Sequence, residues 1–255
     1  MAIIEARNLV KRFGAVAAAD DLTVAIGADS VVGLIGANGA GKTTFINMIT
    51  GYLKPDAGSI QFEGQDVTRL APRAVTRLGI CRSFQIPQLF VTQTVADNLL
   101  VACGIARRAG RAADSAESMV ADALERFGLG TWADKLASVL PEGIRKLLDI
   151  AMALAARPKV LLLDEPTSGV SAEEKFGVMD TVMQAVRPQG VTVLFVEHDM
   201  DIVTRYSDRV LAFYEGRIIA DGTPQAVLAN AAVREVVVGE HGASRRVEEA
   251  VDARR

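Results

Sequence analysis

The sequence predicts an α/β fold, a parallel sheet with helices on both faces, interrupted by a helical insert. Three observations carry this. Short apolar runs at 31–35, 160–163 and 191–196 have the length and the β-branched or leucine-rich content of strands buried on both faces. The first of them ends in a glycine-rich turn that opens a helix, the strand-turn-helix order of an α/β unit. Between the first run and the second, at about 87–156, the pattern changes to alanine-rich helical segments with arginines at Arg107, Arg108 and Arg111.

In chain order, β-like runs at 2–9 and 22–26 precede the buried strand at 31–35. A helix follows at 43–50, closed by Gly51 and then Pro55. The segment 59–62 with Glu63-Gly64 reads as a strand and a hairpin turn. After the helical block, the runs at 160–163 and 191–196 restore the alternation. Residues 240–255 are charged and lack periodicity, so a disordered tail is expected there, behind one compact unit at 1–239. No internal repeat is visible.

With 255 residues, the chain can bury a sizeable core. A formal net charge of −3 gives no diffuse basic face, so nucleic acid is not an expected partner. Cys81 and Cys103 lie far apart without metal-ligand spacing and read as reduced cytosolic thiols. No apolar run approaches the roughly 20 residues that span a bilayer, and Met1 to Arg7 does not follow a signal-peptide layout.

The chemistry sits at the strand ends. Gly36-Ala37-Asn38-Gly39-Ala40-Gly41-Lys42-Thr43-Thr44 fits the G-x-x-x-x-G-K-[ST] spacing between a strand and a helix. Its glycines let successive N–H groups converge on phosphates, Lys42 supplies a cation, and the Thr43 hydroxyl suits Mg²⁺. Asp164 and Glu165 end a buried strand and can take separate roles, since adjacent strand residues point oppositely. Asp164 suits the Mg²⁺ shell, and Glu165 suits polarising the attacking water as a general base. His198, one of two histidines, follows the strand at 191–196, where it could reach the γ-phosphate or the water. Phe13 could stack on adenine or belong to the core. Gln85, taken alone, reads as a solvated loop residue.

Taken in order, these residues resemble the ATP-binding subunit of ABC transporters over nearly the whole chain. The resemblance implies a P-loop NTPase of the ABC type, with a RecA-like core, an N-terminal antiparallel β subdomain and the inserted helical subdomain. It places Phe13 at the adenine-stacking position and Gly36, Asn38, Gly39, Ala40, Gly41, Lys42, Thr43 and Thr44 on the nucleotide. It puts Gln85 with Thr43 and Asp164 on Mg²⁺, Glu165 and Lys42 in catalysis, and His198 at the switch histidine. Within the family, Arg82-Ser83-Phe84-Gln85, Asp97-Asn98-Leu99-Leu100-Val101-Ala102, Glu197-His198-Asp199-Met200 and Gly222-Thr223-Pro224 look like the branched-chain amino-acid importer group. The stretch from Val233 to Gly239 loosely resembles that group's C-terminal end, without its usual tyrosine. Implied partners are a second, paralogous ATPase or a second copy, two membrane permeases that form the channel, and indirectly an extracytoplasmic binding protein. The implied location is the cytoplasmic face of the inner (plasma) membrane.

The chain departs from the family at its signature. In the family, two subunits sandwich two ATPs, each between one phosphate loop and the other subunit's Leu-Ser-Gly-Gly-Gln. Here Leu140 and Gly143 remain, but Pro141, Glu142 and Ile144 replace serine, glycine and glutamine. Ser171 also stands where many members carry an aspartate. Proline in the first helical turn followed by an acid is also a favourable helix start. A carboxylate about 4 Å from phosphate opposes it by up to about 4 kcal/mol at an effective dielectric near 20. The expectation is an asymmetric dimer: this chain's own site turns over against a normal signature, and the partner's ATP, facing 140–144, turns over slowly. The rival readings are a soluble ABC ATPase with an assembly or regulatory role, a nucleotide-binding scaffold, or an importer for urea, amides or aromatic acids.

Overall fold

The computed structural model describes residues 1–108, 110 and 114–238. Arg111, Gly239 and the charged segment 240–255 lie outside the described residues. Two sheets organise the chain. The first is antiparallel and ordered β2-β1-β4-β5, from β1 (Ala2–Phe13), β2 (Val16–Gly27), β4 (Ala57–Phe62) and β5 (Gln65–Asp66). The second is ordered β10-β9-β3-β8-β7-β6, from β3 (Val31–Ile35), β6 (Ile80–Ser83), β7 (Val160–Asp164), β8 (Thr192–Val196), β9 (Arg209–Tyr214) and β10 (Arg217–Gly222). Its pairs are parallel except β9 with β10.

The apolar runs of the second sheet are continuous because both faces are covered. Val31, Leu161, Leu163, Val193, Phe195 and Val210 enter one core, and their neighbours Val32, Leu162, Leu194 and Leu211 enter another. The period of two along a strand divides each strand between the two. The second core also takes Ile4, Leu9 and Phe62 from the antiparallel sheet and Phe45, Ile46 and Ile49 from α1 (Lys42–Ile49). Helix α1 therefore packs between the two sheets, and its first turn emerges at the carboxyl end of β3.

The other core receives α5 (Glu142–Ala155) and α6 (Lys175–Val186). Helices α2 (Pro72–Leu78), α3 (Val95–Arg108) and α4 (Ala116–Arg126) precede α5. Local signals explain their starts. Pro72 opens α2. Thr94 and Asp97 bond each other's backbone N–H at the start of α3, and Ser115 accepts from Ser118 N–H at the start of α4. Further on, Asp199 caps α7 (Met200–Tyr206), and Thr223 with Pro224 opens α8 (Pro224–Ala229).

The expected helix at 43–50 runs one residue earlier, and the strand at 160–163 extends to Asp164. The first two strands are longer than the runs at 2–9 and 22–26, because register shifts between Ala6 and Arg12 keep them paired beyond the clean alternation. Among the described residues, no helix is long and apolar enough to cross a membrane.

Candidate functional site

The carboxyl ends of β3, β7 and β8 gather the site. Residues 36–41 turn from β3 into α1, and the turn has no room for side chains at Gly36 and Gly41. Gly36 has φ +147°, and a Cβ there would stand 2.4 Å from Phe213 O; Gly41 has φ +108°, with its Cβ position 2.5 Å from Ala18 O. Gly41 caps α1 without a side-chain bond. The first N–H groups of α1 thus point outward with the positive end of the helix, a ready anion site. Lys42 is buried, and its Nζ donates to Gly36 O (2.6 Å) and Ala37 O (3.0 Å). Burial pushes its ammonium down from the usual lysine range, while the charges of Glu165 and Asp164 push it back up. The β9–β10 turn braces the loop, with Gly216 N–H donating to Ala40 O (3.0 Å).

Asp164 and Glu165 separate as they leave β7. Asp164 is buried, and Arg82 Nη2 meets its Oδ2. Glu165 takes a left-handed backbone, φ +49°, with its N–H bonded to Val196 O (3.0 Å). Both oxygens of its carboxylate are gripped: Gln85 Nε2 donates to Oε2 (2.7 Å), and His198 Nε2 lies 3.1 Å from Oε1. Glu197 ties the two loops behind this grip. Its buried carboxylate accepts from Thr167 N–H (3.0 Å), Thr167 Oγ1 (2.6 Å) and His198 N–H (3.2 Å). Burial raises the Glu197 carboxyl above the ordinary glutamate range against these bonds.

A cleft of about 280 Å³ opens over the loop, with Phe13, residues 38–44, Glu165 and His198 on its walls. Phe13 is 53% exposed at the end of β1, so it is a wall of this cleft and not a core residue. Gly36 and Asp164 lie beneath, and Gln85 reaches the cleft through Glu165. Among the described residues, no cluster of three or more His, Cys, Asp or Glu side chains could hold a metal unaided. The donor set fits Mg²⁺ nonetheless, because that ion takes one or two carboxylates and completes its shell with phosphate and water. The exposed Thr43 hydroxyl and the Asp164 oxygen turned from Arg82 could serve it.

Residues 140–144 stand at the start of α5. Leu140 is buried, and Pro141 is extended at φ −57°, ψ 154°, one residue before the first helical residue, Glu142. The proline expected in the first helical turn is therefore the cap itself: Pro141 O accepts Arg145 N–H (3.0 Å), and its apolar ring offers no side-chain cap bond. Glu142 stays partly exposed, 3.9 Å from Arg145, with its stem against Gly169 in the loop after Glu165. Ile144 packs on the core.

Sequence reasoning overlooked the groups behind the site. Arg82 lies inside the short strand β6, and an arginine there is itself a signal of burial with a partner. Lys146 and Asp149 sit in α5 beside Leu147, Leu148 and Ile150, all buried. Two opposite charges on an apolar stripe at i, i+3 could have drawn notice. Glu197 adjoins His198 in sequence, and no local pattern marks its burial.

Residues 19–168 match the family described as ABC transporter. The chain is 37% identical over 248 residues to a probable branched-chain amino acid transport ATP-binding protein, LivG, of Archaeoglobus fulgidus, covering 94% of this chain and 96% of that one. It is 34% identical to the high-affinity branched-chain amino acid transport ATP-binding protein LivG of Escherichia coli, covering 93% and 98%. Among solved structures, the ADP conformation of MJ1267, an ATP-binding cassette of an ABC transporter, superposes with a TM-score of 0.82 at 34% identity, covering 94% of this chain and 99% of that one.

Proposed function

The chain belongs to the ABC transporter family, and from that premise we propose that it is the ATP-binding and hydrolysing subunit of an importer for branched-chain or related amino acids. The relatives named for branched-chain amino acid transport support the substrate class. Its partners are two membrane permeases, an extracytoplasmic binding protein acting through them, and a paralogous ATPase. It works at the cytoplasmic face of the inner membrane as a peripheral subunit. Residues 1–239 act as one ATPase domain, with a helical subdomain at about 87–156.

The observation that carries the reading is the two-sided grip of Gln85 and His198 on the Glu165 carboxylate at the mouth of the phosphate loop. Phe13 stacks on adenine. Gly36, Asn38, Gly39, Ala40, Gly41 and Thr44 present backbone N–H groups to the phosphates, and Lys42 neutralises their charge. Thr43, Asp164 and Gln85 hold Mg²⁺, which supplies charge neutralisation on the phosphates when bound. Glu165 takes the proton of the attacking water, and His198 fixes the orientation of that carboxylate.

Glu165→Gln keeps the shape and removes the base, so turnover should fall by at least about 10²-fold while ATP still binds. A variant retaining a tenth or more of wild-type turnover would exclude the assignment. Co-purification with permease subunits separates the importer from a soluble ATPase.

The dimer is asymmetric. Pro141 has no N–H to donate, and Glu142 brings an anion where the family signature meets the partner's γ-phosphate. This chain's own site turns over quickly, and its partner's turns over slowly.

A further inference from the structure

We propose that Lys146 is a positioning residue that locks the loop bearing Gln85 to the backbone of Glu165, and so sets the grip of Gln85 on the catalytic carboxylate. The proposal rests on the reading of Glu165 as general base. Lys146 lies in α5, one helical turn beyond Glu142, and is 1% exposed. Its Nζ donates to Gln85 O and to Glu165 O (3.3 Å). These carbonyls belong to segments 80 residues apart in sequence, and one ammonium holds them together. Three residues on, Asp149 holds the same loop at two further points: it accepts from the Ser83 hydroxyl and from Gln88 N–H (3.0 Å).

A residue needed only to fill space here would be apolar, as Leu147 and Leu148 are. Burying an ammonium is costly unless its donors are used, and burial does push Lys146 down from the usual lysine range. The cation offsets that cost through geometry, because each of its acceptors is the carbonyl of a residue in the Gln85–Glu165 contact. With both main chains tied to one nitrogen, the 2.7 Å bond between Gln85 Nε2 and Glu165 Oε2 follows. The helix that supplies this tie also begins with residues 140–144. The strip facing the partner's ATP and the clamp on this chain's own carboxylate therefore share one rigid element.

The test is steady-state ATPase of the full chain assembled with its partners, beside ATP titration of the same preparation. Lys146→Met should lower kcat by about 10²-fold, the cost of a misplaced reacting group, with the dissociation constant for ATP within about threefold of wild type. Lys146→Arg, which keeps the charge and the donors, should recover most of that loss. Unchanged kcat in folded Lys146→Met, or an equal fall in both variants, overturns the proposal. The wild-type chain gives a second readout that needs no variant to fold. Amide exchange at Gln88 should be protected to the same degree as at Ile150 in α5, and rapid exchange at Gln88 beside a protected Ile150 overturns the clamp. Activity surviving Glu165→Gln removes the base reading itself. Loss there, with Lys146→Met indifferent, removes this inference alone.

Discussion

Arg82 and Asp164 form an ion pair at 2.5 Å, with side chains only 8% and 9% exposed. Arg82 Nη1 donates to Asn47 Oδ1 (2.6 Å), and the guanidinium lies 4.9 Å from the Phe84 ring centroid. One cation thus joins α1, the end of β7 and the loop that leads to Gln85. The Arg82 Nε is buried without a hydrogen-bond partner, so the arginine is held for its fork and not for full satisfaction.

Removing Arg82 leaves the Asp164 charge buried and uncompensated. Arg82→Met should lower the unfolding free energy by about 3–5 kcal/mol, as removal of one partner of a buried pair does. Chemical denaturation measures this. A loss below about 1 kcal/mol would mean that the pair behaves like an exposed one.

Gly36→Ala tests the close approach of the phosphate loop to β9. The added Cβ would meet Phe213 O at 2.4 Å, and the backbone there, φ +147°, disfavours a side chain. Overpacking of this kind costs about 1–3 kcal/mol, and the loop must move to relieve it. The variant should melt lower and bind ATP at least about tenfold more weakly, in line with about 1.4 kcal/mol or more of displaced geometry. Wild-type affinity in ATP titration would show that the loop tolerates the shift.

Restoring the signature tests the asymmetry. Purified alone, the chain can pair only with itself, so both sites would face residues 140–144. The triple change Pro141→Ser, Glu142→Gly and Ile144→Gln should raise the ATPase rate of the homodimer by about 10²-fold, the worth of a restored transition-state donor. A brisk wild-type homodimer, unimproved by the change, contradicts the slow-site reading.

The pH dependence of stability carries the mark of Glu197. Burial raises its folded value above the unfolded 4.5. The fold therefore binds the proton more tightly than the unfolded chain does, and the unfolding free energy falls as pH rises from 4.5 through the folded value. Asp149, raised from 3.8 by burial, adds a slope of the same sign. Glu197→Gln should flatten the fall in denaturation midpoints as pH rises above 4.5. An unaltered slope assigns the dependence to other groups.

The parts of the site that sequence makes legible are those whose chemistry is local. The turn at 36–44 carries its own mechanism in consecutive residues, and Asp164-Glu165 closes a strand that announces itself by five apolar or terminal positions. Lys146, Asp149 and Arg82 act across 61, 66 and 82 residues of chain, and no local pattern says which segments fold together. Strand β6 is not legible in the sequence because its four residues include Arg82 and follow Gly79, which breaks the apolar run. The start of α5 is ambiguous in the sequence because Pro141 is compatible with both the cap and the first helical position, and only the bond from Arg145 N–H to Pro141 O decides between them.

The division of each central strand between two cores has a consequence for how the protein opens. Neither core can come apart while the other stays whole, since β3, β7, β8 and β9 lend alternate side chains to both. The sheet is therefore one cooperative unit, and its amides should be the last to exchange. The loops carrying Gly36, Glu165 and His198 leave that unit at the ends of its strands, so the precision of the site is underwritten by the global stability of the molecule.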